Sequence, residues 1–220
     1  MADFLTTTRT SYDALAAEHA GLVQSSFDDL PLDRSLFATF AELVRPTGRP
    51  VADVGCGPGR VTVLLAELGL DAFGIDLSPG MLALARQSYP ELRFEEGSML
   101  ALDVPDGSLG GVLAYYSVIH VPWEQRAAVF AEFYRVLAPG GVLMLAFQVG
   151  EDQVRRTEYG GTALELDVYR QRPDEVAGLL RDGGFELWMT AVRGRAEWEK
   201  VDQGYLIVRK PATTTGVRSG

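Results

Sequence analysis

Apolar and polar positions along the 220-residue chain follow two regimes. Over the first 45 residues they recur with helical spacing: residues 12–20 are rich in alanine, and 32–44 place apolar side chains on one face. Pro46-Thr47-Gly48 closes that stretch. From residue 51 onward, short apolar runs alternate with helical ones. Strands are predicted at 51–54, 72–75, 92–95, 112–115 and 142–147, with helices at 60–68, 79–88 and 123–137. Pro79 suits the first turn of its helix. Ala138-Pro139-Gly140-Gly141 reads as the stop of the helix before it. This rhythm predicts an α/β fold, a mainly parallel sheet covered by helices on both faces.

The last third breaks the rhythm. Residues 148–161 are polar and glycine-containing, and 163–169 read as a strand. Arg172-Pro173-Asp174-Glu175 opens a helix whose acids complement its dipole, and Gly183-Gly184 ends it. Two further runs, 185–192 and 205–208, lie close enough in sequence to form an antiparallel pair. The organisation expected is one domain over 1–210, with a helical cap at 1–45 and a substrate-covering insertion at 148–171. The polar run 151–158 is read either as a lid or as a connection. Residues 211–220 read as a disordered tail.

Composition narrows the setting. Hydrophobic residues make up 47% and charged residues 23%, the balance of a globular protein. No apolar run approaches the roughly 20 residues of a membrane helix, and Met1-Ala2-Asp3 does not open a signal peptide. A single cysteine, Cys56, excludes an internal disulfide and suits a reducing cytoplasm. The formal net charge of −10 argues against nucleic-acid and anionic-membrane partners. With aromatic pocket candidates (Phe27, Tyr116, Phe147, Tyr159 and Tyr169), that surface suggests a neutral or basic small molecule as substrate. No cluster has metal-ligand spacing, and none is expected to bind one.

The chemistry concentrates at Val51-Ala52-Asp53-Val54-Gly55-Cys56-Gly57-Pro58-Gly59-Arg60. A strand runs into Gly-x-Gly-x-Gly and then into a helix, where glycines let a ligand approach the backbone closely. Asp76 ends the next strand, where a carboxylate can accept both hydroxyls of a ribose. Ser78 already offers the cap for the following helix, which frees Asp76 for that role. A dinucleotide wants Gly-x-Gly-x-x-Gly, but here Gly59 comes one position early and Arg60 stands where the glycine belongs. Asp53 points toward the same turn and would repel a pyrophosphate. It would favour a ligand carrying a sulfonium and an ammonium, which selects S-adenosylmethionine (SAM).

With these residues in view, the sequence resembles the class I SAM-dependent methyltransferases, particularly small bacterial enzymes acting on metabolites. The likeness runs from about residue 12 to 210. It rests on Asp53 to Gly59, Gly74-Ile75-Asp76-Leu77-Ser78-Pro79, Ser117-Val118-Ile119-His120-Val121-Pro122 and Glu132-x-x-Arg135-Val136-Leu137-x-Pro139-Gly140-Gly141. The resemblance implies a Rossmann-like, seven-stranded sheet with an antiparallel C-terminal hairpin. It implies SAM as cofactor, S-adenosylhomocysteine (SAH) as product, and a small-molecule acceptor methylated on O, N or C.

Residue by residue, the resemblance puts Gly55, Cys56, Gly57, Gly59 and Arg60 along the methionine part of SAM, with Asp53 near its ammonium. Asp76 takes the ribose, with Ser78 beside it, and Leu77 and Met81 flank the adenine. Gly97-Ser98-Met99 follows the third strand, with Ser98 where the family often has an acid. Tyr115 and Tyr116 end the fourth strand beside the donor. Tyr12 opens a Tyr-Asp-x-x-Ala-x-x-Tyr pattern whose first tyrosine approaches the SAM carboxylate; its second tyrosine is His19 here.

Methyl transfer needs orientation first and a base only if the acceptor must lose a proton. His120 and His19, the only two histidines, are the candidates for that base. His120 has a structural reading as well, hydrogen-bonded near a helix start. Three rivals stand beside methyl transfer: a SAM-binding enzyme with a non-methylating reaction such as cyclisation, a NAD-dependent oxidoreductase, and a non-catalytic binding module. Both a monomer and a homodimer fit the sequence.

Overall fold

A computed structural model of the chain describes residues 3–18, 27 and 30–212. His19 and residues 213–220 of the expected tail lie outside the described residues. Two helices come first, α1 (Asp3–Glu18) and α2 (Pro31–Val44). The chain continues through β1 (Val51–Val54), α3 (Arg60–Glu67), β2 (Ala72–Asp76), α4 (Pro79–Ser88) and β3 (Phe94–Glu96). Then come β4 (Leu109–Tyr115), α5 (Trp123–Val136), β5 (Leu137–Gln148), β6 (Gln153–Tyr159) and β7 (Thr162–Tyr169). It ends with α6 (Pro173–Asp182), β8 (Glu186–Arg193) and β9 (Gln203–Arg209).

Seven strands form one sheet in the order β3-β2-β1-β4-β5-β9-β8. It is parallel from β3 through β5, while β9 runs antiparallel to both neighbours. Successive residues of a strand face opposite sides, so each inner strand needs apolar residues on both. Val112 and Ala114 pack with Phe130 and Phe133 of α5 on one face. Leu113 packs with Phe37 and Phe40 of α2 and Leu65 of α3 on the other. In β1 the same alternation sends Ala52 and Val54 to the α5 side and Asp53 toward α3. No described helix is long and apolar enough to cross a membrane.

Three elements differ from the expectation. Helix α1 begins at Asp3, well before residue 12, although its four threonines are weak helix formers. Packing holds it, with Leu15 and Ala16 buried against Met81 of α4 and Leu164 and Leu166 of β7. Strand β5 starts at Leu137, the last residue read as helix, and runs through the stretch read as a stop. Gly140 takes a φ of +81° there, and the ladder continues as its N–H bonds to the Lys210 carbonyl at 2.9 Å. The run read as a lid or connection contains strand β6, which pairs only with β7 in a separate two-stranded sheet. Its sequence Gln-Val-Arg-Arg-Thr-Glu-Tyr is too polar to read as a strand alone.

Candidate functional site

The carboxyl ends of β1, β2 and β4 open into a cavity of about 410 Å³, within the usual size of a small-molecule site. β1 and β4 are laced together at its floor, where the Ser117 hydroxyl donates to the Val54 carbonyl at 2.7 Å. Gly55 sits against that lacing with a φ of +77°; a Cβ there would lie 2.2 Å from Ser117 Cβ. Gly57 also has a positive φ, +55°, but a Cβ on it would meet nothing within 4 Å. Of the two glycines, Gly57 leaves its face open to the cavity.

Two carboxylates flank this loop. Asp76 accepts the Gly57 N–H at 2.7 Å and the Ser78 N–H at 2.8 Å. Burial raises its pKa against the pull of those two amides. Ser78 is the expected helix cap, accepting the Met81 N–H at 3.1 Å, a contribution of about 1 kcal/mol. Its hydroxyl donates in turn to Asp13 at 2.6 Å, and Asp13 also takes the Gly80 N–H. Helix α1 is thereby fixed to the start of α4. Asp53 accepts the Thr62 hydroxyl at 2.7 Å, and burial, opposed by that bond, pushes its carboxyl up to about 7. Burial likewise pushes the Cys56 thiol up.

Tyr12 and His120 meet in the same cavity. The Tyr12 oxygen lies 2.7 Å from His120 Nε2, and His120 Nδ1 lies 2.9 Å from the Asp167 carbonyl oxygen. A carbonyl only accepts, so Nδ1 carries the proton and Nε2 accepts the Tyr12 hydroxyl. Burial lowers the His120 pKa to about 4 and raises that of Tyr12. At neutral pH the pair is uncharged, and both ring nitrogens are engaged.

The structure brings together nearly all the residues singled out by sequence. Tyr12, Asp53, Gly55, Cys56, Gly57 and Arg60 line the cavity. So do Asp76, Leu77, Ser78, Met81, Gly97, Ser98, Met99, Tyr115, Tyr116 and His120. Gly59 is not among the lining residues. Its φ of +87° caps α3, and a Cβ on it would press on Phe94 and Tyr89 beneath the loop. Arg60 lies over the Phe27 ring at 5.4 Å. Of the aromatic pocket candidates, Tyr116 and Tyr159 line the cavity, whereas Phe147 is fully buried core and Tyr169 faces Arg126.

Sequence reasoning missed two groups. The first is the set of side chains with which the expected covering segments line the cavity: Phe4, Thr8 and Arg9 of α1, and Arg156, Leu164 and Leu166 of the β6–β7 hairpin. The second is Asp33 of α2, completely buried, whose Oδ1 accepts the hydroxyls of Tyr115 at 2.7 Å and Tyr205 at 2.9 Å. An acid sharing a helix face with Leu36, Phe37 and Phe40, three, four and seven residues on, was the available signal. Beside this network Tyr116 takes a φ of +54°, a left-handed conformation found at no other non-glycine among the described residues. Such strain costs on the order of 1 kcal/mol and gathers at functional sites.

Residues 51–141 match the family model of a methyltransferase domain. A probable S-adenosylmethionine-dependent methyltransferase of Mycolicibacterium smegmatis is 31% identical over 146 residues, 65% of this chain and 54% of that protein. A ubiquinone biosynthesis O-methyltransferase of Methylococcus capsulatus is 34% identical over 156 residues, 64% of each chain. The chain thus spans about half the length of the first of these relatives and 64% of the second. Among solved structures, the magnesium protoporphyrin IX methyltransferase of Synechocystis PCC 6803 with bound SAM superposes with a TM-score of 0.70. It does so at 17% identity, covering 94% of this chain and 97% of that one.

Proposed function

We propose that the chain is a class I SAM-dependent methyltransferase, in keeping with the methyltransferase-domain model matched over residues 51–141 and with its relatives, and that it transfers the methyl group of SAM to a small-molecule acceptor bound in the same cavity. The observation that carries this reading is that Asp53 and Asp76 line one cavity together with the open face of Gly57. The fit to SAM rests on the same three residues. Any side chain at Gly57 would fill the approach, and two carboxylates suit a nucleoside bearing a sulfonium and an ammonium. When bound, SAM supplies a methyl group already activated toward an in-line nucleophile.

The chain's own residues bind, orient and exclude water. Asp76, held by two backbone amides, keeps lone pairs for the ribose hydroxyls, and Leu77 and Met81 flank the adenine. Gly97, Ser98 and Met99 border the adenine edge, while Asp53 faces the ammonium. Tyr115 and Tyr116 wall the reaction side from the end of β4. Helix α1 and the hairpin, the expected cap and insertion, cover the cavity. Positioning of this kind supplies roughly 7–11 kcal/mol of a displacement barrier.

The geometry favours His120 as a positioning group rather than a general base. Nε2 already accepts from Tyr12, and the imidazole resists protonation down to about pH 4. Its task in this reading is to orient the Tyr12 hydroxyl over the cavity. Calorimetry with SAH and incubation with methyl-labelled SAM and a panel of small acceptors test the proposal. Binding of SAH, with acceptor-dependent SAH production, supports it. Binding without any labelled product in the presence of an acceptor that is itself consumed would favour the non-methylating rival.

A further inference from the structure

The roof hairpin carries a cation for which the described residues supply no counterion. In β6 the burial alternates: Gln153, Arg155 and Thr157 are exposed, while Val154 and Arg156 are half-buried. The inward face of β7 is apolar, with Leu164, Leu166 and Val168 all buried and lining the cavity. Arg156 pairs in register with Leu166, so its guanidinium joins this apolar face and lines the cavity too. The register shifts just after it, between Arg156 and Glu158, the kind of bulge that re-aims a side chain.

Its neighbours are all paired. Arg155 makes a bidentate bond to Asp167, Arg170 binds Asp152, and Arg172 binds Glu151 and Asp174. Arg9, on the opposite wall, is bridged to Glu96. Among the described residues Arg156 has no hydrogen-bond or ion-pair partner. The cavity's two carboxylates are committed elsewhere, Asp53 to Thr62 and Asp76 to the amides of Gly57 and Ser78. The charge of Arg156 nevertheless reaches Tyr12 and His120, which places it on their side of the cavity. A guanidinium half-withdrawn from water among leucines is unfavourable unless an anion meets it, and its planar fork suits a carboxylate or phosphate.

We propose that Arg156 recognises an anionic group, carboxylate or phosphate, on the methyl acceptor, so that the substrates are small acids. This rests on the reading of the cavity as a SAM-dependent methyltransferase site. It reverses the expectation of a neutral or basic substrate drawn from the net charge of −10, because the relevant charge is local to the roof.

The test uses the full chain saturated with SAH and measures, by calorimetry, matched pairs of small molecules with and without the anion. Protocatechuate is compared with catechol, glutarate with pentanediol, and phenyl phosphate with phenol. The acid of at least one pair is expected to bind about tenfold or more tighter than its neutral partner, and the pair that does so distinguishes carboxylate from phosphate. Arg156→Gln should abolish that preference and Arg156→Lys restore part of it. Arg155→Gln, on the outer face, should keep it. SAH affinity should stay within a factor of about two in all three variants. If no acid outbinds its neutral partner, the inference falls while SAH binding still supports the methyltransferase reading. If Arg156→Gln instead weakens SAH tenfold, the arginine serves the donor's carboxylate and the inference is overturned. Failure of the unaltered chain to bind SAH would remove the underlying reading itself.

Discussion

Asp33 accepts the Tyr205 hydroxyl at 2.9 Å, tying α2 to β9 across 172 residues of sequence. The same oxygen takes the Tyr115 hydroxyl from β4, so one buried carboxylate fixes the ring of a cavity-lining tyrosine. Asp33→Ala strands two buried hydroxyls and is expected to cost about 3 kcal/mol. In a chain of this size that lowers Tm by about 10 °C, and Tyr205→Phe should cost about 1 kcal/mol. Thermal melts of the three proteins check this; an Asp33→Ala variant melting with the parent would contradict it.

The two glycines of the nucleoside loop should fail in different ways. Gly55→Ala drives a methyl into Ser117 and separates β1 from β4, so the expected effect is a loss of several kcal/mol in stability. Gly57→Ala meets no protein atom and bears only its positive φ, about 1 kcal/mol. Its methyl occupies the ligand approach, so SAH affinity should fall at least about tenfold. Urea unfolding and SAH calorimetry on both variants decide it. Equal SAH affinity in Gly57→Ala and the parent chain would be the adverse result.

Acid stability should carry two opposed contributions. Folded His120 stays neutral to about pH 4, whereas the unfolded chain protonates it near 6.5. Between these values the unfolded chain binds more protons, so this residue makes stability rise with pH. Asp53 does the reverse: its folded pKa of about 7 lies above the unfolded 3.8, so its contribution falls as pH climbs through that window. Between pH 4.5 and 6.5 each amounts to about 2 kcal/mol, with opposite sign. His120→Asn should therefore leave a chain that loses stability with rising pH, and Asp53→Asn one that gains it. Urea unfolding at the two pH values reads both slopes, and identical slopes in all three proteins would refute the assignment.

Asp53 also predicts a proton count on binding. At pH 6 its carboxyl is mostly protonated, and an ammonium placed beside it should expel that proton. SAH titrations in two buffers of different ionisation enthalpy should show release approaching one proton per ligand. Asp53→Asn should bind with almost none. No buffer dependence for the unaltered chain would mean that the ammonium lies elsewhere.

Most of the nucleoside half was legible because local sequence decides it. A short, mainly apolar run leading straight into a glycine-rich turn reads as an inner parallel strand, as Val51–Val54 is, and all four of its residues are buried. Ser78 beside Pro79 announces its own cap, which left Asp76 for the cavity. The roof of the cavity was not legible, because its residues acquire their places through pairing partners distant in sequence. Strand β6 becomes a strand only against β7, and Arg156 faces inward only because of that register. The His120 proton is likewise placed by the Asp167 carbonyl, 47 residues away.

The small β6–β7 sheet shares no ladder with the seven-stranded one; it is attached through side chains and a single bridge where Val149 meets Gln171. Ser11 donates to the Glu165 carbonyl at 2.6 Å, and Thr162 donates to Glu18 at 2.6 Å. Because the bridge brings the two ends of the excursion side by side, a foreign hairpin grafted between them would disturb no strand register in the main sheet. The roof of the cavity can therefore be exchanged as a segment while the ladder of the seven-stranded platform stays intact.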